Sequence, residues 1–509
     1  MNLGFTKSTV IHPILFAVFP ILLIITSNLD EIVLIDAGLS LLIIMGTMLA
    51  SWLLLNLFLK NKMRSGLFVS LGLVLFFSYG NFLRITTQID VSNLPFSHHT
   101  YGVPVFFIML LLGVFTIIKI KKHLSGVTTF TNIIAIVLIV ILLPNLASYS
   151  FETQSVESIG NPLNYKITGE SELKDKPNIY YIIVDEYTSD EILTKIYDYD
   201  NHDFLSKLVQ RGFYVPSESY TNYPTSVLAI SANLNMQYIH DKKISPTLDN
   251  KNEFYNNNQI MRILKSLDYT IVNMSIEYGY PEIADYHLCP TSMFVNQFHT
   301  TLLDDSIWQP FSKFFITAGE PQRDRVNCKF SELSDLHKSF DSPFFVLGHI
   351  MSPHPPYLFG PNGESISPEF LSIGAASWND KSGYVNQVQY INKKIIETVD
   401  KILLESESQP VIIIQGDHGT PTQLGGGGLR WNNINDDSIT ERMSIFNAYY
   451  FPHLNSEIIY DGITPVNSLR LVLNNYLNGS YELLEDRMYF TTYQDTLNFT
   501  DVTSLLSVP

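Results

Sequence analysis

The hydrophobic pattern divides the chain into two parts. In the first part, five apolar stretches are separated by short polar loops, and each approaches the roughly 20 residues that a helix needs to cross a bilayer. A single first stretch could be a cleaved signal peptide, but no small-residue cleavage site follows it and four more stretches do. The pattern predicts five transmembrane helices in residues 1–149, at about 10–25, 38–59, 66–83, 102–118 and 129–147.

After the last apolar stretch the pattern changes. Residues 150–176 are polar and contain glycine and proline, which predicts a linker. Short apolar runs then alternate with helical periodicity, which predicts an α/β domain with a mostly parallel central sheet and helices on both faces. The predicted strands include 178–184, 270–274, 344–349, 444–451 and the run that begins at residue 411; the predicted helices include 258–267 and 384–404.

Charge then indicates which side of the membrane this domain occupies. Of 32 basic and 49 acidic residues, eight and four lie in the first 150 positions, which leaves 24 and 45 for the rest. So acidic a domain lacks the surface that neutralises nucleic-acid phosphates. In the first part, basic residues concentrate in the second and fourth loops, at Lys60, Lys62, Arg64, Lys119, Lys121 and Lys122. The positive-inside rule therefore predicts an integral protein of the cytoplasmic membrane with a cytoplasmic amino terminus and an extracytoplasmic domain.

Two predicted strands run directly into residues that bind metals. The run VIIIQG is followed by Asp417 and His418, and the run NIYYIIV is followed by Asp185 and Glu186. Open α/β sheets bind ligands at the carboxyl ends of their strands. Oxygen and imidazole ligands together favour zinc or manganese, with magnesium and calcium as alternatives. The competing interpretation is an ordinary exit from strand to loop with solvated side chains.

Two further segments carry candidate chemistry. Thr225 and Ser226 open an apolar helix; a hydroxyl there is commonly an N-cap, but a helix amino terminus also receives phosphate charge. His349 and His354 follow the strand at 344–349, where they could bind a metal or an anionic substrate, or be surface or capping histidines.

The chain has only two cysteines, Cys289 and Cys328, and both fall in the part predicted to be extracytoplasmic. In an oxidising compartment an isolated pair of this kind forms a disulfide or remains as two separate thiols. The sequence leaves these two alternatives open.

The order of the motifs IIVDE, NYPTS before a helix, GHIMSPHPPY and IIQGDHG resembles the alkaline phosphatase superfamily in its sulfatase-like branch. Five spans before one external α/β domain resemble the lipid A phosphoethanolamine transferases and lipoteichoic acid synthases. The resemblance implies a catalytic domain at 177–509 with one divalent metal ion. It also implies transfer of a phospho-substituent, such as phosphoethanolamine or phosphoglycerol, from a membrane lipid donor to an envelope glycan or lipid. Hydrolysis of a phospho- or sulfo-ester, and a catalytically inactive binding or sensor protein, are the alternatives.

The resemblance also implies a role for each candidate residue. Ser226 aligns with the nucleophile, with Thr225 as the alternate, and His349 and His354 align with histidines that hold the substrate phosphate or a second metal. The implied metal ligands are Glu186, with Asp185 as a second candidate, and Asp417 and His418.

The sequence departs from the family pattern at two points. Ser226 opens SVLAI, which lacks the proline and arginine of the sulfatase motif C/S-x-P-x-R and argues against classical sulfate-ester hydrolysis. The histidine that the transferases place after DHG is also absent. Arg430 lies in that region and is the candidate phosphate clamp in its place. Arg442 and Asn447 are expected to be structural.

Overall fold

The computed structural model describes residues 9–27, 34–87, 98–120, 123–154, 176–239, 251–274, 281, 283–289, 297–308, 320–366, 380–425, 431–454, 458–492 and 495–506. The chain forms two compact units. The helical unit comprises Met1–Ser155 with Ser292–Ala318, and the sheet unit comprises Val156–Thr291 with Gly319–Pro509. Most of the predicted linker, 155–175, lies outside the described residues.

The helical unit contains the five apolar helices that the hydrophobic pattern predicts. They are His12–Ser27, Leu34–Leu59, Lys62–Thr87, His98–Lys119 and Leu124–Gln154. Among the described residues, four helices contain segments long and apolar enough to cross a membrane: Ala37–Leu59, Lys62–Leu83, Thr100–Lys119 and Leu124–Pro144. The helix His12–Ser27 has 16 residues. At 1.5 Å per residue it falls short of a hydrocarbon core of about 30 Å, so the structure shows four spans where the sequence predicted five.

A short segment from the middle of the chain packs into the helical unit. The helix Gln297–Asp304 buries Phe298 and Leu302 against apolar residues of the first three helices. Two backbone hydrogen bonds fix the residues that follow: Gly80 N–H donates to the Asp305 carbonyl (3.1 Å), and Ile307 N–H donates to the Phe76 carbonyl (2.8 Å). This excursion, Ser292–Ala318, was not predicted from the sequence.

The sheet unit is organised around a six-stranded sheet in the order β3-β2-β4-β1-β5-β6. All of its neighbouring pairs are parallel except β5 with β6. Every residue of β1, β4 and β5 is buried, as expected for strands covered on both faces. The structure thus confirms an α/β domain with a mostly parallel sheet. The strands are β1 Ile179–Val184, β2 Thr270–Asn273, β3 Tyr286–His287, β4 Phe344–Ile350, β5 Val411–Gly416 and β6 Asn447–Tyr450.

Helices cover both faces of this sheet. One apolar core includes alternate residues of β1 from Tyr180 onward, and the other includes the intervening residues from Ile179 onward. In the helix predicted at 384–404, the side chains of Ile391, Ile395, Val399 and Ile402 are buried in the first core. The helices are Asp190–Tyr197, His202–Gln210, Ser226–Asn235, Lys251–Asn256, Gln259–Ser266, Glu320–Ser339, Lys381–Glu405, Asp436–Met443, Pro465–Tyr476 and Thr503–Leu506; a hairpin of β7, Tyr489–Thr492, and β8, Asp495–Asp501, completes the described chain.

The two cysteines are joined. Cys289 and Cys328 form a disulfide across a sequence separation of 39 residues. Of the alternatives that the sequence left open, the structure has the bonded pair. Both cysteines belong to the sheet unit and lie on either side of the excursion Ser292–Ala318.

Candidate functional site

The candidate residues meet where three central strands end. Asp185 and Glu186 follow β1, His349 is the penultimate residue of β4, and Asp417 and His418 follow β5. Because β1 is parallel to both β4 and β5, with Val184 beside Ile350 and Gly416, their carboxyl ends lie at one edge of the sheet. The site therefore lies where open α/β sheets bind ligands.

Asp185, His349 and Asp417 form a compact group of potential metal ligands. Each side chain offers one ligand atom, and these atoms lie within 4.8 Å of one another. His349 Nε2 is 3.2 Å from Asp185 Oδ2, and both side chains are fully buried. Within the described part of the chain, neither Oδ atom of Asp185 nor Oδ2 of Asp417 accepts a hydrogen bond. Buried carboxylate oxygens that lack such partners, next to an imidazole, fit a divalent cation.

The two carboxylates of this group have opposite pKa shifts. Burial raises the pKa of Asp185, but His354 and His349 outweigh that effect and hold it well below its usual range. Burial and the neighbouring Asp185 charge raise the pKa of Asp417 to about 7. Asp417 Oδ1 accepts hydrogen bonds from the backbone N–H groups of Glu186 (3.0 Å) and His418 (2.9 Å). Two buried carboxylates this close repel each other, and a bound cation would relieve the repulsion.

Glu186 faces a different partner. Its carboxylate accepts a hydrogen bond from Arg442 Nη1 at 2.9 Å, and both side chains are almost completely buried. Its backbone has a φ of 63°, in the left-handed region that non-glycine residues rarely adopt. Tyr384 Oη donates to its carbonyl (2.8 Å), which helps to hold this conformation. Strain of this kind is characteristic of functional turns.

Ser226 is not the N-cap of its helix. Thr225 is the N-cap residue, although its side chain makes no capping hydrogen bond, and the helix begins at Ser226. Ser226 Oγ lies 2.9 Å from His418 Nε2, while His418 Nδ1 lies 3.1 Å from the Gly419 carbonyl. Because a carbonyl only accepts, Nδ1 carries the proton and Nε2 accepts from the serine hydroxyl. Burial, and then the Arg442 charge, lower the pKa of His418 well below its usual value, which favours this neutral form.

Arg442, expected from the sequence to be structural, lies among these residues. Besides the Glu186 carboxylate, its guanidinium contacts the Gly419 carbonyl (2.7 Å from Nη1), the Pro224 carbonyl (2.7 Å from Nε) and His418 Nε2 (3.2 Å from Nη2). It also lies over the Trp431 ring, 5.2 Å from the centroid. The sequence offered no signal for this role, since Arg442 lies 24 residues after His418 and in no recognised motif.

The loop after His418 is positioned by Glu441. Its carboxylate accepts hydrogen bonds from Thr420 Oγ1 (2.6 Å) and from the backbone N–H groups of Thr422 (2.9 Å) and Gln423 (2.8 Å). A side chain at Gly419 would place its Cβ 2.1 Å from the Glu441 carbonyl oxygen. Glycine is therefore required for the backbone to pass this close behind the site.

His354, another predicted substrate-binding residue, contacts the backbone of the residue after it and the backbone just beyond the end of β1. His354 Nδ1 lies 2.6 Å from the Pro355 carbonyl, and the His354 backbone N–H donates to the Asp185 carbonyl (3.2 Å). Burial lowers the pKa of His354, but Asp185 and Glu186 outweigh it, so the pKa is raised overall. His354 therefore lies beside the acidic group. Arg430 lies outside the described residues.

Comparison with solved structures returns chains of low sequence identity. The C-terminal periplasmic domain of EcEptC from Escherichia coli, in complex with zinc, is 11% identical, with a TM-score of 0.44 and coverage of 68% of this chain and 96% of that chain. The corresponding domain of the phosphoethanolamine transferase EptC from Campylobacter jejuni is 10% identical (TM-score 0.40; 61% and 92%). A putative sulfatase from Bacteroides thetaiotaomicron is 13% identical (TM-score 0.39; 64% and 75%). No curated protein matches the sequence.

The family itself is established by sequence. The family model described as Sulfatase matches residues 177–462, which is more than half of the chain. The matched region extends from the residue before Asn178, next to β1, to beyond β6, and so contains every candidate site residue. The chain therefore belongs to the sulfatase family.

Proposed function

We propose that this protein is a membrane-anchored, metal-dependent phosphotransferase that works through a covalent phosphoserine at Ser226. The observation that carries the proposal is the Ser226 hydroxyl, 2.9 Å from His418 Nε2 at a helix amino terminus, next to the buried group of Asp185, His349 and Asp417. A serine hydroxyl needs a neighbouring base or metal to act as a nucleophile. Here His418 is the neighbouring base, and the buried group would hold the metal.

The reaction would proceed in two displacements at phosphorus. In the first, Ser226 Oγ bonds to phosphorus and gives its proton to His418 Nε2, while the ester bond to the leaving alcohol breaks and the electron pair stays on the leaving oxygen. The leaving oxygen takes up that proton from His418. In the second, an acceptor hydroxyl bonds to phosphorus and gives its proton to His418 Nε2, while the bond between phosphorus and Ser226 Oγ breaks and the serine oxygen takes the proton back from His418. The helix amino terminus directs its backbone N–H groups at the phosphoryl oxygens. A divalent ion would supply Lewis acidity at the phosphoryl group.

Two sets of ligands for that ion are in competition. The family resemblance implies Glu186, Asp417 and His418, with Asp185 as a further candidate. The geometry favours Asp185, His349 and Asp417, because the Glu186 carboxylate is already neutralised by Arg442 and His418 Nε2 already faces Ser226. Metal analysis of the purified chain separates the two sets. We expect His349→Ala and Asp417→Asn to lose about one equivalent of zinc or manganese and Glu186→Gln to keep it; the reverse pattern for His349 and Glu186 would support the family set.

Membrane anchoring supports a lipid donor. The four helices that are long and apolar enough to cross a membrane would hold the chain in a bilayer. The basic loops favour a cytoplasmic amino terminus and an extracytoplasmic sheet unit. A phospholipid head group such as phosphoethanolamine or phosphoglycerol would then be the donor, and an envelope glycan or lipid the acceptor.

Incubation of the purified chain with labelled phosphatidylethanolamine or phosphatidylglycerol, followed by peptide mass spectrometry, tests the proposal. We expect a phospho-substituted peptide that contains Ser226, and diacylglycerol as the released product. Mass spectrometry of envelope lipids and glycans with and without the gene identifies the acceptor. Release of the label to water alone, with no modified envelope component, would favour the alternative of a phospho- or sulfo-ester hydrolase.

A further inference from the structure

We propose that Arg442 is the cation that binds the phosphoryl oxygens during transfer to Ser226, in the position where a second metal ion would otherwise be required. The inference rests on the proposed function and assigns a binding role to a residue that the motifs did not indicate. The positive charge at the phosphoryl group would then come from one metal ion and one guanidinium.

The guanidinium occupies the donors that a second ion would need. Glu186 and His418 are the predicted ligands that lie outside the group of Asp185, His349 and Asp417. Both contact Arg442: Nη1 is 2.9 Å from Glu186 Oε1, and Nη2 is 3.2 Å from His418 Nε2. A second ion bound by these atoms would have to displace a buried arginine from its ion pair. The guanidinium supplies positive charge there without an ion.

The guanidinium also lies close to the reacting atom, Ser226 Oγ. His418 Nε2 has two close neighbours, Ser226 Oγ at 2.9 Å and Arg442 Nη2 at 3.2 Å. The guanidinium and the nucleophilic oxygen thus both contact the same atom, His418 Nε2. When Ser226 Oγ bonds to phosphorus, the non-bridging oxygens extend from that same position. Negative charge then develops beside a cation that is already in place.

The guanidinium has more N–H groups than its contacts with the described residues use. An arginine side chain has five N–H donors. One on Nε points to the Pro224 carbonyl, and two on Nη1 serve Glu186 and the Gly419 carbonyl. His418 Nε2 is 3.2 Å from Nη2, but its single lone pair accepts from the Ser226 hydroxyl. The contacts with described residues therefore account for three donors. The other two are on Nη2, the nitrogen nearest to Ser226 along this chain of contacts, where they can donate to a phosphoryl oxygen.

The Arg442 side chain is held in place by its surroundings. It is 2% exposed, it packs over the Trp431 ring, and it donates to the carbonyl two residues before Ser226. A donor fixed in advance in a site of low dielectric stabilises developing charge without reorganisation at the moment of reaction. Guanidinium geometry also matches phosphate better than an ammonium does, so lysine should replace it only in part.

The test compares Arg442→Ala and Arg442→Lys with Arg470→Ala in the full chain. Arg470 is the matched control because it is also a buried arginine, but its hydrogen bonds to described residues go to the backbone carbonyls of Met236 and Glu482. Turnover is measured with the phosphodiester bis-para-nitrophenyl phosphate, and affinity for inorganic phosphate is measured by calorimetry. We expect Arg442→Ala to lower kcat about 10²–10³-fold and to weaken phosphate binding, and Arg442→Lys to lose less.

Chemical rescue separates a charge at the reacting centre from a structural role. Guanidinium chloride at millimolar concentration should restore turnover of Arg442→Ala in a saturable manner, whereas urea, which has a similar shape but no charge, should not. Neither should improve Arg470→Ala. Zinc titration of the chelator-treated wild-type chain should reach saturation at about one equivalent.

Three results would overturn the inference: turnover and phosphate affinity of Arg442→Ala within about threefold of wild type, equal rescue by urea, or two zinc equivalents in the wild type. If Arg442→Ala does not fold, Arg442→Lys decides, since wild-type kcat and phosphate affinity in that variant would exclude a requirement for the guanidinium. Failure of the proposed function is distinguishable. It would appear as unchanged turnover in Ser226→Ala and no phospho-Ser226 in the wild type, whereas failure of the Arg442 inference alone leaves phospho-Ser226 present.

Discussion

Replacement of Ser226 by alanine separates a nucleophile from a structural hydroxyl because the structure limits what the hydroxyl contributes to stability. Within the described part of the chain, Ser226 Oγ hydrogen-bonds to His418 Nε2, and the N-cap position belongs to Thr225. Loss of one hydrogen bond between neutral groups costs about 1 kcal/mol. Since domains are typically stable by about 5–15 kcal/mol, Ser226→Ala should remain almost entirely folded.

The expected loss of activity is far larger than that structural cost. A loss of about 1 kcal/mol would change a rate or an affinity by less than tenfold, because tenfold corresponds to about 1.4 kcal/mol. If Ser226 forms the covalent intermediate, turnover should fall by at least about 10³-fold, since no other group replaces the missing bond to phosphorus. Ser226→Thr keeps the hydroxyl and should retain part of the activity.

The assay combines turnover of a phosphodiester, metal content and peptide mass spectrometry on the same preparations. Ser226→Ala should bind metal like the wild type, and Thr225→Ala, the adjacent control, should keep most of its turnover. Turnover of Ser226→Ala within tenfold of wild type would refute the assignment. A phosphorylated peptide labelled at Thr225 would show instead that the nucleophile is the N-cap residue.

The other predictions concern topology, the disulfide and the loop behind the site. A reporter that is active only outside the cytoplasm should be active when fused after the last residue and inactive when fused at Lys62; the opposite result would reverse the orientation. Cys328→Ser should lower the free energy of unfolding of the sheet unit by about 4 kcal/mol on the chain-entropy estimate for a separation of 39 residues, and a change below about 1 kcal/mol in urea titrations would contradict this. Glu441→Ala removes the acceptor of three hydrogen bonds and should cost about 3 kcal/mol; hydrogen exchange should accelerate at Thr422 and Gln423, and unchanged exchange there would show that the carboxylate does not hold the loop.

Much of the sheet unit could be predicted because its strands have a simple signature. A strand buried on both faces must be apolar throughout. The runs that form β1, β4 and β5 can therefore be recognised in the sequence without knowing which strands they pair with. Parallel pairing then brings the residues that follow them to one edge. The close approach of Asp185, His349 and Asp417 is the physical result of that pairing.

The contacts of Arg442 could not be predicted in the same way. Its position depends on where the helix Asp436–Met443 ends and on how the loop at 420–423 folds around Glu441. Neither depends on a periodic pattern. The pairing of Glu186 with Arg442, rather than with the metal-ligand group, also depends on the left-handed turn at Glu186. A short strand such as β3, with two residues, likewise gives too little periodicity to detect.

The excursion that carries Phe298 and Leu302 has a practical consequence for preparing the protein in pieces. A truncated fragment that starts at the family boundary, residue 177, would retain these residues but lose the helices that bury them. Exposed apolar side chains of this kind promote aggregation. A soluble form would be better obtained by replacing 292–318 with a short polar linker. The disulfide between Cys289 and Cys328 already links the segments on either side of the replaced residues, so the replacement would not let these segments separate.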